Sequence, residues 1–160
     1  MGPAKKIIFR IMLGSLLLSR LSGCVVFPLE ETDTTRSLYW CPPLHNCAST
    51  EATTFVHSIP PFELTIPLEK AWPIIQDAIA SLPSTQIKHQ YTGYIYAKSY
   101  SDLFKFVDYV EVLAIPEEKR LNVRSSSLLG LTDMFVNYLR TERLRAILEE
   151  KGVISPNDGH

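Results

Sequence analysis

The sequence predicts an α+β fold, in which an antiparallel sheet of about five strands carries two helices on one face. Five short segments have the composition of strands, and most of them alternate apolar and polar residues with a period of two. Two further segments carry apolar residues at the helical spacing i, i+3, i+4 and i+7. The order along the chain is strand, helix, four strands, helix, which favours an antiparallel sheet over alternating parallel units.

Each predicted strand is short and bounded by turn residues. The five segments span residues 62–66, 85–91, 94–100, 103–115 and 121–126. The first helix is predicted by an apolar stripe that runs from Leu68 to Leu82. Gly93 supplies a turn between the second and third strands, and Pro116 ends the fourth. The architecture resembles TATA-binding-protein-like and helix-grip folds, a likeness that by itself implies no function.

A second helix closes the chain. Thr132 is a suitable N-cap, Asp133 suits the positive end of the helix dipole, and Gly152 can adopt the left-handed conformation that ends a helix. The apolar residues that we expect to face the core are Phe135, Tyr138, Leu139, Ile147 and Leu148.

The amino-terminal residues 1–23 have the order of a secretory signal. Lys5, Lys6 and Arg10 precede a short apolar run, and no acidic residue occurs before Cys24. The run is shorter than the ~20 apolar residues that cross a bilayer. It ends in Leu-Ser-Gly-Cys at residues 21–24, which resembles the lipoprotein box of bacteria and implies cleavage before Cys24 and lipidation of its thiol. We expect the lipid on Cys24 to hold the mature chain in a membrane.

The rest of the chain divides into a tether, a domain and a tail. Residues 24–57 show no persistent period and are rich in Pro, Ser and Thr, so we interpret them as a lipid-anchored tether and irregular loop. The α+β domain is predicted over residues 58–152, and residues 153–160 are expected to form a flexible tail. With 16 Lys and Arg against 17 Asp and Glu, the net charge of −1 argues against nucleic-acid binding.

The tether contains two cysteines, Cys41 and Cys47, for which three interpretations are open. In an exported chain, the oxidising compartment favours a disulfide between them. Together with His45 they could instead begin a metal site, but a structural zinc site needs four ligands and no second pair is found. They could also be free thiols packed in a loop. We therefore predict a disulfide, no metal and no cofactor.

The sheet face away from the helices is predicted to carry large amphipathic and charged side chains. If Ile95 and Ala97 point toward the helices, alternation places the tyrosines of the same strand on the opposite side. The candidate binding residues on that face are Tyr94, Tyr96, Tyr109, Glu111 and Arg124. Tyrosine and arginine are enriched in binding surfaces, although cross-strand aromatic pairs on a solvated face share this composition. We expect an exposed surface that binds an envelope protein, a lipid or a small ligand.

An enzyme is the alternative interpretation. The segment 125–127 supplies three serines as nucleophiles, for which His57 or His89 would be the base. No Gly-x-Ser-x-Gly elbow occurs in the sequence. Asp108 and Glu111 lie three apart in a strand and face opposite sides, so they do not form the acid pair of a glycosidase. We therefore expect a non-enzymatic domain, with an envelope hydrolase that uses residues Ser125 to Ser127 as the alternative.

Three stretches resemble a known family. They are Cys-Pro-Pro-Leu-His-Asn-Cys-Ala-Ser at residues 41–49, Phe-Val-Asp-Tyr-Val-Glu at 106–111, and Arg-Ser-Ser-Ser-Leu-Leu-Gly-Leu-Thr-Asp at 124–133, continuing to residue 137. Together they resemble the family called domain of unknown function 1499, over roughly residues 40–150. The matching positions are Asn46, Asp108, Ser125, Ser127, Gly130, Asp133 and Asn137. The chain departs at Leu128 and Tyr138, where the family usually has Arg, and at Phe135, where it usually has Gly. The resemblance implies no established activity.

The residue after Cys24 bears on which membrane holds the chain. It is Val25 rather than an acid, which by resemblance to lipoproteins of bacteria with two membranes favours the outer membrane, with the domain facing the periplasm. The sequence thus predicts a lipoprotein of the bacterial cell envelope with an unknown biochemical activity.

Overall fold

The computed structural model describes residues 37–100, 106–128 and 135–157. In chain order the elements are β1 (Cys47–Ser49), β2 (Phe62–Glu63), α1 (Leu68–Ala80), β3 (Thr85–Tyr91), β4 (Tyr94–Tyr100), β5 (Val107–Ile115), β6 (Arg120–Ser127) and α2 (Val136–Glu150). Within these ranges, none of the helices is both long and apolar enough to cross a membrane. The predicted signal and Cys24 lie outside the described residues, as do Gly130, Thr132 and Asp133.

The six strands form one antiparallel sheet in the order β1-β6-β5-β4-β3, and β2 also pairs with β6. β5 and β6 pair along the whole length of β6, from Arg120 opposite Ile115 to Ser127 opposite Asp108. β1 and β2 share the other edge of β6. The predicted α+β class is confirmed. The sheet has one strand more than expected, because β1 is too short to show alternation.

The main core lies between the sheet and the two helices. β4, β5 and β6 point the following side chains into it: Ile95, Ala97, Val110, Val112, Leu121 and Val123. Trp72, Ile75 and Ile79 of α1 pack against them, as do Leu144 and Leu148 of α2. Each fully buried aliphatic side chain of this kind contributes about 1.5–3 kcal/mol relative to an exposed one. The two helices therefore cover the same face, as predicted.

The folded domain extends beyond both predicted boundaries, at residues 58 and 152. Ahead of the first boundary, β1 joins the sheet, and Ala48 and His57 are buried. Beyond the second, Val153 and Ile154 are buried, and Ile154 forms an antiparallel bridge with Leu64. Residues 47–57 are thus not a tether, and residues 153 and 154 are not a flexible tail. Their contacts are single bridges and a three-residue strand, which leave no periodic pattern in the sequence.

The predicted core-facing residues of α2 are only partly correct. Leu148 is buried, but Tyr138, Leu139 and the preceding Phe135 are exposed, and Phe135 has 75% of its surface accessible. The buried residues of this helix are Asn137, Thr141, Leu144, Arg145 and Leu148. The first half of α2 therefore turns polar side chains toward the sheet, because the facing side chains of the sheet are polar there as well.

The carboxyl end of α2 has the predicted glycine stop. Gly152 adopts a left-handed conformation with φ of 64°. Its N–H donates to the carbonyl of Glu149, and the N–H of Val153 donates to the carbonyl of Leu148, both at 2.9 Å. This pair of bonds is the Schellman arrangement, which satisfies carbonyl groups that the helix itself leaves unpaired.

Candidate functional site

The sheet face opposite the helices carries tyrosines grouped around one ion pair. We call this group the tyrosine layer and define it as Tyr94, Tyr96, Tyr109, Glu111 and Arg124. Tyr96 lies opposite Glu111 in the β4–β5 ladder, and Glu111 lies opposite Arg124 in the β5–β6 ladder. Paired residues of neighbouring strands point to the same side. The structure thus brings all five predicted residues together on one face.

The expectation that this face is exposed is wrong. All five side chains are buried, and Tyr109, the most accessible, has only 8% of its surface exposed. Leu38 packs into the layer among the tyrosines and Leu113. The ring of Tyr39 lies 5.7 Å from the guanidinium carbon of Arg124. Alternation gave the direction of each side chain correctly, but it does not show that a segment more than fifty residues away in sequence lies across the face.

Residues 37–40 form this covering segment, which we call the strap. The backbone N–H of Leu38 donates to Oε2 of Glu51 at 2.8 Å. The other carboxylate oxygen of Glu51 accepts a hydrogen bond from the side-chain amide of Asn122 on β6. Burial raises the pKa of Glu51 above its usual value, although these two hydrogen bonds act in the opposite direction. A partly desolvated carboxyl group therefore fastens the strap to the sheet.

The ion pair at the centre of the layer uses one side of the Arg124 guanidinium. Nη1 of Arg124 donates to Oε2 of Glu111 at 2.6 Å, and the Tyr94 hydroxyl donates to Oε1 of Glu111 at 3.0 Å. Nε and Nη2 of Arg124 are buried and have no hydrogen-bond partner among the described residues. These two atoms form one edge of the planar guanidinium, the fork that binds two oxygens at once. Oγ of Ser126, on the same face of β6, is likewise buried without a partner in the described part of the chain.

The tyrosines of the layer are neutral aromatic groups. Burial and the neighbouring Glu111 carboxylate raise the pKa of Tyr94 above its usual value. Burial, followed by the adjacent Tyr109, raises the pKa of Tyr96. The rings of Tyr96 and Tyr109 stack with centroids 5.6 Å apart, and His89 stacks on Tyr96 at 5.8 Å. The layer therefore offers aromatic surface and hydroxyl groups, and its phenols stay protonated at neutral pH.

A second polar cluster lies on the helix side of the sheet and is centred on Asn137. The Ser125 hydroxyl donates to Oδ1 of Asn137 at 2.6 Å. The Asn137 amide donates to the backbone carbonyl of Asn46 and to Oγ of Ser127, both at 2.9 Å. At all four of these positions the chain matches the family pattern: Asn46, Ser125, Ser127 and Asn137. We call the group the asparagine network; it joins α2 to β6 and to the residue before β1.

Arg140, which sequence reasoning missed, completes this network. Its Nη2 lies 2.5 Å from Oδ2 of Asp108. Its Nη1 donates to Oγ of Ser125 at 2.9 Å and to Oδ1 of Asn137 at 2.8 Å. The guanidinium beside Asp108 thus comes from position 140, whereas Tyr138, where the family usually has Arg, is exposed. Polar residues at spacing i and i+3 on one side of α2 were the signal available in the sequence.

The three serines at positions 125–127 point to two different faces. Ser125 and Ser127 belong to the asparagine network, whereas Ser126 pairs with Tyr109 across the strands on the opposite face. No hydrogen bond joins one of them to a histidine within the described ranges. The ring nitrogens of His57 contact Oγ1 of Thr54 at 2.6 Å and the Leu44 carbonyl at 2.8 Å. Ser125 and Ser127 of β6 therefore both bond to Asn137 of α2, as expected of side chains that hold structural elements together.

Cys41 and Cys47 are joined by a disulfide, with their Cα atoms 5.7 Å apart. This bond excludes the alternative in which the two thiolates and His45 begin a metal site. Elsewhere in the part of the chain that the structure describes, no three His, Cys, Asp or Glu side chains are grouped so that they could hold a metal ion. The disulfide joins the chain just after the strap to the first residue of β1.

Comparison with known proteins identifies a family. A search of curated proteins found no match. The family model described as a protein of unknown function (DUF1499) matches residues 37–148, which is more than half of the chain. The match includes the strap, the sheet and nearly all of α2, and with them both polar clusters. The chain therefore belongs to the DUF1499 family of proteins of unknown function.

Proposed function

We propose that this protein is a lipoprotein of the bacterial cell envelope, anchored through lipid on Cys24, whose domain binds a ligand at the tyrosine layer and catalyses no reaction. Anchoring is supported by the basic, apolar and small-residue order that ends at Cys24. The neighbouring Val25 favours the outer membrane, with the domain in the periplasm.

One observation carries ligand binding: the Nε–Nη2 edge of Arg124 is buried and unpaired among the described residues. Only 1% of the Arg124 surface is exposed. A buried donor that lacks a partner costs about 1–3 kcal/mol, and more when it is charged. The whole stability of a domain is only about 5–15 kcal/mol. A ligand that supplies two acceptor atoms would remove this cost on binding.

A comparison of Arg124 with Arg140 of α2 supports this choice of site. Arg140 directs both terminal nitrogens at Asp108, Ser125 and Asn137, which is what a structural arginine requires. Arg124 directs one nitrogen at Glu111 and leaves the other edge for a partner that the described residues do not supply. The asparagine network thus connects elements of the fold, whereas the tyrosine layer retains unused hydrogen-bonding capacity.

The strap provides a route to the layer. It holds to the domain through the Leu38 side chain, the Leu38–Glu51 hydrogen bond and the Tyr39 ring over Arg124. Displacing residues 37–40 breaks no pairing between strands, because the ladder partners of β6 begin at Cys47. We propose that the ligand enters as the strap moves aside.

Anchoring is tested by Cys24→Ala in the expressing bacterium. Wild type should incorporate labelled palmitate and partition into detergent, while Cys24→Ala should do neither. Ser19→Ala, a change within the apolar run, is the matched control and should behave as wild type. If Cys24→Ala still partitions into detergent and carries palmitate, the chain is not anchored at this cysteine.

Ligand binding is tested by extracting the full chain from membranes, denaturing it and identifying released small molecules by mass spectrometry. Arg124→Lys keeps a positive charge beside Glu111 but lacks the planar fork. Wild type should release a compound that Arg124→Lys does not. Arg140→Lys, in the asparagine network, is the control and should retain the compound. Equal recovery from wild type and Arg124→Lys would contradict binding at the layer.

A further inference from the structure

We infer that the ligand of the tyrosine layer presents a carboxylate to the Nε–Nη2 edge of Arg124, an inference that rests on the ligand-binding role proposed above. The edge offers two parallel N–H donors in a fixed plane. The groups that match this geometry have two oxygens on one atom, as in a carboxylate or a phosphate. Neutral acceptors such as a single carbonyl oxygen fill only one of the two positions.

Charge distinguishes between these two oxyanions. The positive charge of Arg124 is already balanced by Glu111 at 2.6 Å. A second carboxyl group, that of Glu51, is bound to Asn122 on the same side of β6. A phosphate monoester carries about −1.5 to −2 at pH 7, whereas a carboxylate carries one charge. Since burying excess charge is costly, the layer accommodates the carboxylate better.

Two other described cations beside the layer are partly exposed to solvent, which weakens their attraction for a buried dianion. Nζ of Lys98 lies 5.9 Å from the centre of the Tyr109 ring, and Lys98 is partly exposed. Arg120, at the other end of β6, is paired with Glu118 and is also partly exposed. Arg124 is therefore the cation that the layer itself offers, and it already has one carboxylate partner.

Ser126 supplies a third donor. It lies two residues along β6 from Arg124 and on the same face, so the two positions are roughly 6.5–7 Å apart. Its buried hydroxyl has no partner in the described ranges. For a carboxylate seated on the Arg124 fork, the Ser126 hydroxyl would be the next unpaired donor along this face of β6. Tyr96 and Tyr109 add aromatic surface beside this seat.

The test follows the Nε–Hε signal of Arg124 by NMR in the full chain, labelled with ¹⁵N and held in detergent. The signal is assigned by its loss in Arg124→Lys. Sodium benzoate, inorganic phosphate and N-methylacetamide are titrated separately as a carboxylate, a phosphate and a neutral amide. Benzoate should move the signal downfield and saturate, whereas phosphate and N-methylacetamide should leave it in place.

Two variants measure the contribution of each donor by calorimetric titration with benzoate. Arg124→Lys should weaken binding at least tenfold. Ser126→Ala should weaken it about threefold, and because no described group bonds this hydroxyl, the variant keeps the fold. Arg140→Lys is the control and should bind benzoate as wild type does.

The outcomes separate this inference from the proposed function. If phosphate or N-methylacetamide shifts the Arg124 signal to saturation and benzoate does not, the inference that the ligand is a carboxylate is wrong, although Arg124 is still a ligand site. A signal that none of the probes moves would overturn the inference, and recovery of a compound from the membrane-extracted chain then decides the proposed function separately. Equal affinity for benzoate in wild type, Arg124→Lys and Ser126→Ala would place its binding elsewhere and overturn the inference.

Discussion

Breaking the buried ion pair of the tyrosine layer should destabilise the domain strongly. In Glu111→Gln the side chain keeps its shape but loses its charge, so the Arg124 guanidinium stays buried without a counterion. Glu111 has none of its surface exposed, and the two side chains approach to 2.6 Å. Unit charges about 4 Å apart at an effective dielectric constant near 20 attract by about 4 kcal/mol. Measured losses on breaking such pairs are about 3–5 kcal/mol. We therefore expect a loss of about 4 kcal/mol.

The assay is urea unfolding of the full chain, followed by circular dichroism and by the fluorescence of tryptophans such as the buried Trp72. With a slope of about 1.5–2 kcal/mol per molar urea, the midpoint should fall by about 2 M. Coinciding transitions from the two probes establish that the comparison is between two states.

A double variant separates the value of the pair from the cost of leaving one partner alone. Replacing both Glu111 and Arg124 with Met removes both charges and fills similar volume. Its stability should lie within about 1 kcal/mol of wild type, or above it. It should nevertheless fail to bind benzoate, so folding and binding are measured independently. A loss of less than about 1 kcal/mol in Glu111→Gln would show that the pair is solvated and would refute the reasoning.

Further predictions concern the asparagine network, the disulfide and Glu51. Asn137→Ala should lower the urea-unfolding free energy by about 2–4 kcal/mol, because buried partners lose their hydrogen bonds, whereas exposed Tyr138→Ala should cost under about 1 kcal/mol. Cys41→Ser should cost about 2 kcal/mol by loop entropy and match reduced wild type in the same assay; an equally stable variant contradicts this. Burial raises the pKa of Glu51, so the unfolded chain releases this proton first as pH rises. Glu51 therefore contributes stability below its raised pKa that is lost above it. The free energy of unfolding of wild type should therefore fall relative to that of Glu51→Gln when the pH is raised from about 4.5 to about 7.5. A difference between the two proteins that does not change with pH contradicts this.

The sheet was predictable from the sequence because its alternation is regular. β3 and β4 have the predicted limits, and the side of the sheet on which Tyr96 and Arg124 lie was also predicted correctly. The alternation of apolar and polar residues shows to which side of the sheet each side chain of a strand points, and it depends only on residues of that strand. It does not report whether a distant segment covers a face, so the burial of the tyrosine layer under Leu38 was not predictable.

The error in α2 has a different physical origin. Apolar residues usually face a core, and this rule assigned Phe135 and Leu139 to the interior. In the structure they are exposed, whereas Asn137 and Arg140 contact the sheet. The rule fails because the opposing positions on β5 and β6 are polar, so hydrogen bonds replace apolar contact there. The resemblance to the family singled out Asn137 and Asp108, but that both contact the guanidinium of Arg140 is seen only in the folded structure.

The disulfide also determines how the domain would respond to a mechanical pull from its amino-terminal side. A force applied on the amino-terminal side of Ser37 acts first on the strap. The strap then detaches, because only the Leu38–Glu51 hydrogen bond and the packing of Leu38 have to be broken. The force is then transmitted through the disulfide from Cys41 to Cys47, the first residue of β1, so that residues 42–46 carry none of it. β1 is hydrogen-bonded to β6, so further extension requires shearing the sheet. If the chain is held by lipid at Cys24, as we propose, a modest force would lift the strap and expose Arg124 while the sheet stays intact.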